Sequence, residues 1–433
     1  MGYLEESMPF YRKLLLPLAL PFVLAMNAAH AASNALPSVA GWSEFVDGLR
    51  DLPGKLLAAL PAEQREDPQV QQEIARIVLE SLAASLLETI GSDGDHPAFV
   101  ANQNLTLNYP QPNADTIYRI TRITPGGTYR MRGARGNLRL ATVGQAGPMP
   151  GEPGGTTLGA GPRRGVFDLG ALHVDAKGRF DVILSAKRPA GHSGDWWELA
   201  PDTNRLLLRA VMADITSERD PTVSIERIDI PPQRPRPPAA LLAQRLRSLP
   251  RATALLPSIF VSTGARLRAG GFVNRFKLVD AAQNGGLAGQ SYYSSLFELD
   301  GDEALVVAVR PPDRCLYRSI QLANEFQETL DWHNNQSSLN DVQAKPDRDG
   351  ILRIVVAASD PGVPNWLDTD GYRQGMIEGR WMGCDSNPVP AVEKVLLIEL
   401  RKHLPSDTRT VSRTERERTI RERRAALQQR PMW

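Results

Sequence analysis

The apolar positions of this chain change period along its length. From Val70 through Ile74, Ile77, Val78, Leu82 and Leu86 to Ile90 they recur at spacings of three and four, which puts them on one face of a helix. Asp67 and Pro68 supply an N-cap and a first-turn proline, and Gly91 supplies the stop. Before it, residues 32–40 read as a flexible lead-in and 42–60 as a short helical segment broken at Pro53. From about Asn104 the period becomes two. Ile117–Ile123 alternates, Pro125-Gly126-Gly127 turns, and Thr128–Met131 extends again, which predicts a hairpin. Further strands are expected over 137–143, 179–185, 206–215 and 222–228, with a long Gly/Pro-rich loop over 144–165.

Residues 231–238 (PPQRPRPP) hold five prolines in eight positions and read as a linker or surface strap. Residues 239–276 then predict two or three helical pieces. Strand character returns at Tyr292 and continues through 304–309, 316–322, 352–358 and 376–382. Two closing helices are expected: 389–403 with an apolar face, and 410–429, so rich in Arg and Glu that it is read as solvated or protruding. The resulting expectation is a β-dominated α+β chain. It divides into a leader over 1–31, a helical segment over 32–100, a first β unit over 101–230, a strap and connector over 231–285, a second β unit over 286–385, and terminal helices over 386–433.

Arg12 and Lys13 precede a thirteen-residue apolar run, Leu14–Met26, and Ala29-His30-Ala31 follows with small residues. A bilayer-spanning helix needs about 20 apolar residues, whereas a secretory h-region needs about 7–15. The pattern predicts a signal peptide cleaved near Ala31 and a periplasmic or secreted mature chain without a membrane span. Glu5 and Glu6 are out of place in an n-region, and a start at Met8 removes both. With 50 basic against 49 acidic residues, no basic face marks a nucleic-acid binder. Cys315 and Cys384, the two cysteines, are too few for a disulfide scaffold or a thiolate zinc site; in an oxidising compartment they are candidates for one disulfide, against two buried free thiols.

The runs Gly194–Asp229 (GDWWELAPDTNRLLLRAVMADITSERDPTVSIERID), Asp331–Gly350 (DWHNNQSSLNDVQAKPDRDG) and Asp360–Trp381 (DPGVPNWLDTDGYRQGMIEGRW) resemble bacterial proteins carrying the domain of unknown function numbered 1214. Leu105–Gly133 (LTLNYPQPNADTIYRITRITPGGTYRMRG) resembles a segment that often precedes it, related to domain of unknown function 1254. The pattern Asn365, Trp366, Leu367, Asp368, Thr369, Gly371, Gly375, Arg380, Trp381 is the most specific part. The resemblance implies two antiparallel β-sandwich or jelly-roll-like units with added helices, and no reaction.

The chemical motifs are sparse. His96, His173, His192, His333 and His403 include no H-x-x-x-H pair, so no metal or other cofactor is expected; Asp347–Gly350 offers oxygen ligands but lacks a calcium-loop spacing and reads as a turn. There is no G-x-S-x-G elbow, His192-Ser193 are adjacent residues whose side chains diverge, and 151–161 lacks the P-loop Lys. Polar loop residues remain: Asn113, Asp115 and Tyr118; Trp332, His333, Asn335, Gln336 and Asn340; Asn365, Trp366 and Asp368. Such groups on loops of a rigid sandwich suit a small polar molecule or glycan, although turn capping accounts for many of them. The candidate ligand residues are Asp115, Tyr118, His333, Asn335, Asn365, Trp366, Asp368 and Arg380. Residues 365–369 are expected at a cavity mouth beside His333 or Asn335, with Trp366 as anchor and Asp368 paired to Arg380. Two functions compete: an envelope protein binding a small polar or sugar-like ligand, and a metal-independent hydrolase or lyase using Asp115, Asp368 or His333 as acid or base. Oligomeric state is not legible.

Overall fold

A computed structural model describes residues 37–150, 152, 154–155, 164–280, 287 and 289–431; the leader over 1–31 lies outside them. The chain is α+β and β-rich, built from four antiparallel-dominated sheets with helices added. Helices α1 (Trp42–Arg50), α2 (Leu52–Ala58), α3 (Ala62–Glu66) and α4 (Pro68–Thr89) come first, with Pro53 in the first turn of α2. Asp67 caps α4 by accepting the amide of Gln69 at 2.8 Å. The buried Ile74, Ile77 and Val78 pack with Leu52, Leu56, Tyr109, Val261 and Phe326.

The first β unit pairs a five-stranded sheet, in order β1 (Val100–Gln103), β2 (Thr116–Arg122), β8 (Arg205–Val211), β4 (Leu140–Ala146), β5 (Val166–Asp168), with a four-stranded one, β7 (Asp195–Glu198), β6 (Arg179–Ser185), β3 (Tyr129–Ala134), β9 (Thr222–Arg227). Tyr129, Met131, Val143, Val182, Leu184, Leu206 and Leu208 fill the space between them. The expected hairpin over 117–131 does not form: β2 and β3 lie in opposite sheets. The turn between them carries the chain across the sandwich, and the Tyr129 hydroxyl fastens it by accepting the amide of Thr124 at 2.7 Å and donating to the Gly94 carbonyl at 2.7 Å. Two alternating runs joined by a Gly-rich turn look alike locally whether they pair or face each other, and core packing decides.

Residues 231–238 contain no helix or strand. Helices α5 (Ala239–Phe260) and α6 (Thr263–Ala269) follow. The second β unit pairs β10 (Lys277–Asp280), β11 (Gln290–Glu298), β17 (Gln374–Met382), β13 (Tyr317–Ala323), β14 (Ser338–Asn340) with β16 (Trp366–Asp368), β15 (Leu352–Ala357), β12 (Glu303–Val309), β18 (Ala391–Leu396). Its core holds Tyr293, Phe297, Leu305, Val307, Ile320, Leu322, Ile354, Val356, Ile377 and Trp381. Cys315 and Cys384, at the ends of β13 and β17, are joined as a disulfide.

Two expectations near the C-terminus are corrected. Residues 389–403 are the strand β18 followed by a 3-10 turn (Leu397–His403), not a helix, because β12 takes β18 as a ladder partner from Glu303↔Leu396 to Ala308↔Ala391. Helix α7 (Arg413–Gln428) is docked, not protruding. Arg416, Arg423 and Leu427 are buried, as is Arg430 beyond it, and the three arginines are seven residues apart, on one face.

Candidate functional site

The two five-stranded sheets turn their outer faces toward each other. Leu140 and Val211 from the first unit and Tyr317 from the second form one buried apolar cluster at this seam, packed against Met382. Hydrogen bonds tie its rim: Gln321 donates to the Pro112 carbonyl at 2.9 Å, Asn113 to the Tyr317 hydroxyl at 3.0 Å, and Asn340 to the Ala213 carbonyl at 2.9 Å.

Within the seam lies a cavity of about 40 Å³, lined from one side by Thr116, Tyr118, Arg209 and Val211 and from the other by Gln290, Tyr292, Tyr317 and Arg380. Strand alternation explains the set. Thr116 and Tyr118, Arg209 and Val211, and Gln290 and Tyr292 are pairs two apart on one strand, hence on one face, while their neighbours Ile117, Leu208, Ala210 and Tyr293 point the other way. Each sheet presents a Tyr directly across the ladder from an Arg: Tyr118↔Arg209 and Tyr292↔Arg380. The Arg380 guanidinium lies 5.5 Å from the Tyr292 ring centroid.

Arg380 is 4% exposed. Its Nη2 donates to Glu378 at 2.8 Å, while its Nη1 is buried with no hydrogen-bond partner. Burial opposes the charge of Arg380, but Glu378 together with Tyr292, Tyr118 and Tyr317 outweighs it, so the guanidinium is held more firmly protonated than usual. Burial raises the Glu378 carboxyl above its ordinary range and pushes the Tyr292 phenol up to about 12. Arg209 has no ion-pair or hydrogen-bond partner among the described residues.

Asp115 stands behind this wall. Its Oδ2 accepts from the Tyr317 hydroxyl at 2.7 Å and from Asn340 Nδ2 at 3.1 Å, and burial raises its carboxyl. Tyr118 lines the cavity and its phenolic oxygen accepts the Asn113 amide at 3.1 Å.

The other expected residues lie elsewhere. His333 is buried, edge-on to Trp332 at 5.7 Å between centroids, and burial lowers its pKa. Asn335 donates to Asp370 at 2.9 Å. Trp366 is the anchor of its loop, with Nε1 donating to the Ala357 carbonyl at 2.9 Å and the Arg416 guanidinium 5.0 Å from its ring centroid. Asn365 lines a second cavity of about 320 Å³, whose wall includes neither His333 nor Asn335. The cations there are engaged: Arg353 with Asp347 and Asp349, Arg348 with Asp407, Arg409 with Glu415. The expected Asp368–Arg380 pair does not exist. Asp368 accepts the amide of Asp370 at 2.9 Å and its carboxyl is raised by burial, whereas the partner of Arg380 is Glu378, two residues away on the same strand face. Asp115, Asp368 and His333 line neither cavity.

Sequence reading missed Arg209, Gln290, Tyr292 and Tyr317. The usable signal was a charged residue, Arg209, embedded between Leu206–Leu208 and Ala210–Val211: a charge on an apolar strand needs a wet or paired face.

Among solved structures, an uncharacterised protein from Burkholderia cenocepacia is similar with a TM-score of 0.74 and 30% identity, over 83% of this chain and 97% of that one. A Vibrio parahaemolyticus protein aligns at 12% identity with a TM-score of 0.45, over 74% of this chain and 98% of that one. No protein-family model and no curated protein matches the chain.

Proposed function

Since the chain belongs to the same family as the uncharacterised Burkholderia cenocepacia protein, the site alone informs function, and we propose that this is an exported protein that holds a small polar ligand between its two β units. The observation carrying this reading is a cavity walled by both units whose lining includes an unpartnered Arg209 and a buried Arg380 with one free nitrogen. An unpaired buried donor costs about 1–3 kcal/mol. A bound acceptor removes that cost. The acid–base alternative draws no support, because none of its three candidate groups lines the cavity, Asp115 being engaged behind its wall, and they share no hydrogen bond with one another.

The export part rests on the leader pattern Arg12–Ala31 and accords with the Cys315–Cys384 disulfide. No helix among the described residues is long and apolar enough to cross a membrane. The test is direct. Protein recovered from the envelope of an expressing bacterium should begin near Ala32 and release a small polar compound, near one per chain, on denaturation and mass spectrometry. Thr116→Phe, which fills the cavity, should abolish the release. Intact N-terminus in the cytoplasm overturns export, and a compound retained in the filled variant overturns the site.

A further inference from the structure

The hydrogen-bonding balance of the seam cavity is one-sided. Arg209 and the Tyr292 hydroxyl have no partners among the described residues, and Arg380 Nη1 has none although it is buried. Because the Tyr118 oxygen already accepts the Asn113 amide, its proton is free to be donated. Of the acceptors nearby, the side-chain oxygens of Gln290 and Thr116 remain open, and those of Asn113 and Asp115 are engaged. Asn113 Oδ1 takes the Asp115 amide at 3.3 Å and the Tyr317 hydroxyl at 3.2 Å, Asp115 takes Tyr317 and Asn340, and Glu378 takes Arg380. Among the described residues no carboxylate lines the cavity.

Such a wall selects for charge. A sugar hydroxyl donates as well as accepts and would find only the neutral Gln290 and Thr116 oxygens as acceptors here, leaving the guanidinium charge unbalanced, whereas a carboxylate is acceptor-only and takes about four hydrogen bonds, best from guanidinium groups. The arginines supply two positive charges and Glu378 one negative, leaving one to be balanced. Size narrows the class further: a cavity needs roughly 10–15 Å³ to hold one water, and an engineered cavity of about 150 Å³ holds benzene. About 40 Å³ therefore fits a planar head group of a few atoms. Leu140, Val211 and Leu287 form the apolar part of the lining, where a short alkyl substituent would lie.

Resting on the ligand-binding reading above and narrowing it, we infer that the seam cavity is a receptor for a small monocarboxylate, with Arg209 and Arg380 as its charge partners and Tyr118 and Tyr292 as donors to the carboxylate oxygens. Arg209 is the residue to test. It is half-buried and unpaired, so its loss breaks no internal bond, whereas replacing Arg380 strands Glu378.

The experiment titrates acetate, propionate, inorganic phosphate and acetamide into the ligand-stripped mature protein at constant ionic strength and pH 7, reading intrinsic fluorescence and melting temperature. Acetate or propionate should bind saturably and at least tenfold more tightly than acetamide. Arg209→Gln should weaken that binding at least tenfold without changing the unliganded melting temperature, and Tyr292→Phe should weaken it several-fold. If acetamide binds as tightly as acetate and Arg209→Gln changes nothing, the charge assignment fails while the small-ligand reading stands. Phosphate binding more tightly than either carboxylate also overturns the carboxylate class. If none of the four binds, and no compound is released from envelope-derived protein, both readings fail.

Discussion

Tyr292 and Arg380 stand opposite one another on β11 and β17, and the guanidinium sits over the phenol ring 5.5 Å from its centroid. A cation over an aromatic face is attracted by the ring quadrupole, more strongly where water is excluded. This stacking and the Glu378 contact orient Arg380 from two sides, so its guanidinium is held in one place with little rotamer freedom left. Tyr118 and Arg209 occupy the matching positions on β2 and β8 across the seam.

Arg380→Met should destabilise the fold by about 3–5 kcal/mol, because Glu378 is left buried without its partner. Adding Glu378→Gln should recover much of that loss. Urea denaturation of the two single variants and the double variant measures the coupling; additive effects would mean that the pair does not act as a unit.

Helix α4 was legible because its signals are local: an Asp–Pro start, a 3.6-residue stripe and a glycine stop. The seam was not. Which outer face of a sheet meets another is a tertiary property, and Tyr292 and Tyr293 are adjacent in sequence yet one faces the seam and the other the core. Tyr118 and Arg380 are legible as candidates, but the place of Arg380 on the strand following Asp368 does not make the pair, because Glu378, at i−2, shares its face. The heptad spacing of Arg416, Arg423 and Arg430 marks one face of α7, and that face is buried although the helix is rich in Arg and Glu. These arginines find carbonyl and side-chain partners inside: Arg416 at Gln336, Asp360 and Val363, Arg423 at both the carbonyl and the hydroxyl of Ser338.

Stability should fall as pH rises from about 5 to 8. Burial, aided by the nearby Glu328, pushes Glu80 up to about 8, and burial raises Glu73 in the same direction. An unfolded glutamate titrates near 4.3. Both groups therefore contribute fully below that value, and the contribution of Glu80 is lost as pH climbs through its folded value. Glu80→Gln keeps an acceptor for the Asn108 amide and should flatten the decline by roughly 3 kcal/mol. Chemical denaturation at pH 5, 7 and 9 checks it; an unchanged slope in the variant would assign the decline elsewhere.

The disulfide ties the ends of β13 and β17 across 69 positions. In the chain-entropy account a loop of that length is worth about 4 kcal/mol. Cys315→Ser/Cys384→Ser should lower stability by an amount of that order, and the thiols of exported native protein should resist alkylation until a reductant is added. Full labelling without reductant would refute the bridge.

Arg430 should be the residue that locks the C-terminal arm to the first β unit. Its Nε and Nη2 donate to the two carboxylate oxygens of Asp220 at 3.0 and 2.7 Å, Nη1 to the Asp115 carbonyl at 2.7 Å, and Nη2 also to the Ala210 carbonyl at 3.0 Å. The two side chains are only 6% and 7% exposed, so neither is rescued by water when the other is removed. Arg430→Ala therefore strands a buried carboxylate, at a cost of about 3–5 kcal/mol, while the Asp115 carbonyl keeps the Met212 amide at 2.9 Å. The arm should loosen with it, and trypsin should cut near Arg423 and Arg424 faster than in the parent protein. Arg413→Ala is the control: its partner Glu417 is half-exposed and its own side chain is 92% exposed, so the change should stay within about 0.5 kcal/mol. Arg430→Met with Asp220→Asn should restore part of the stability by removing the unpaired charge, since an apolar replacement of both partners avoids the desolvation penalty that a single truncation exposes. If Arg430→Ala melts like Arg413→Ala and leaves the proteolysis rate unchanged, the arm is held by its apolar contacts at Leu427, Ala114 and Trp332 and not by the ion pair.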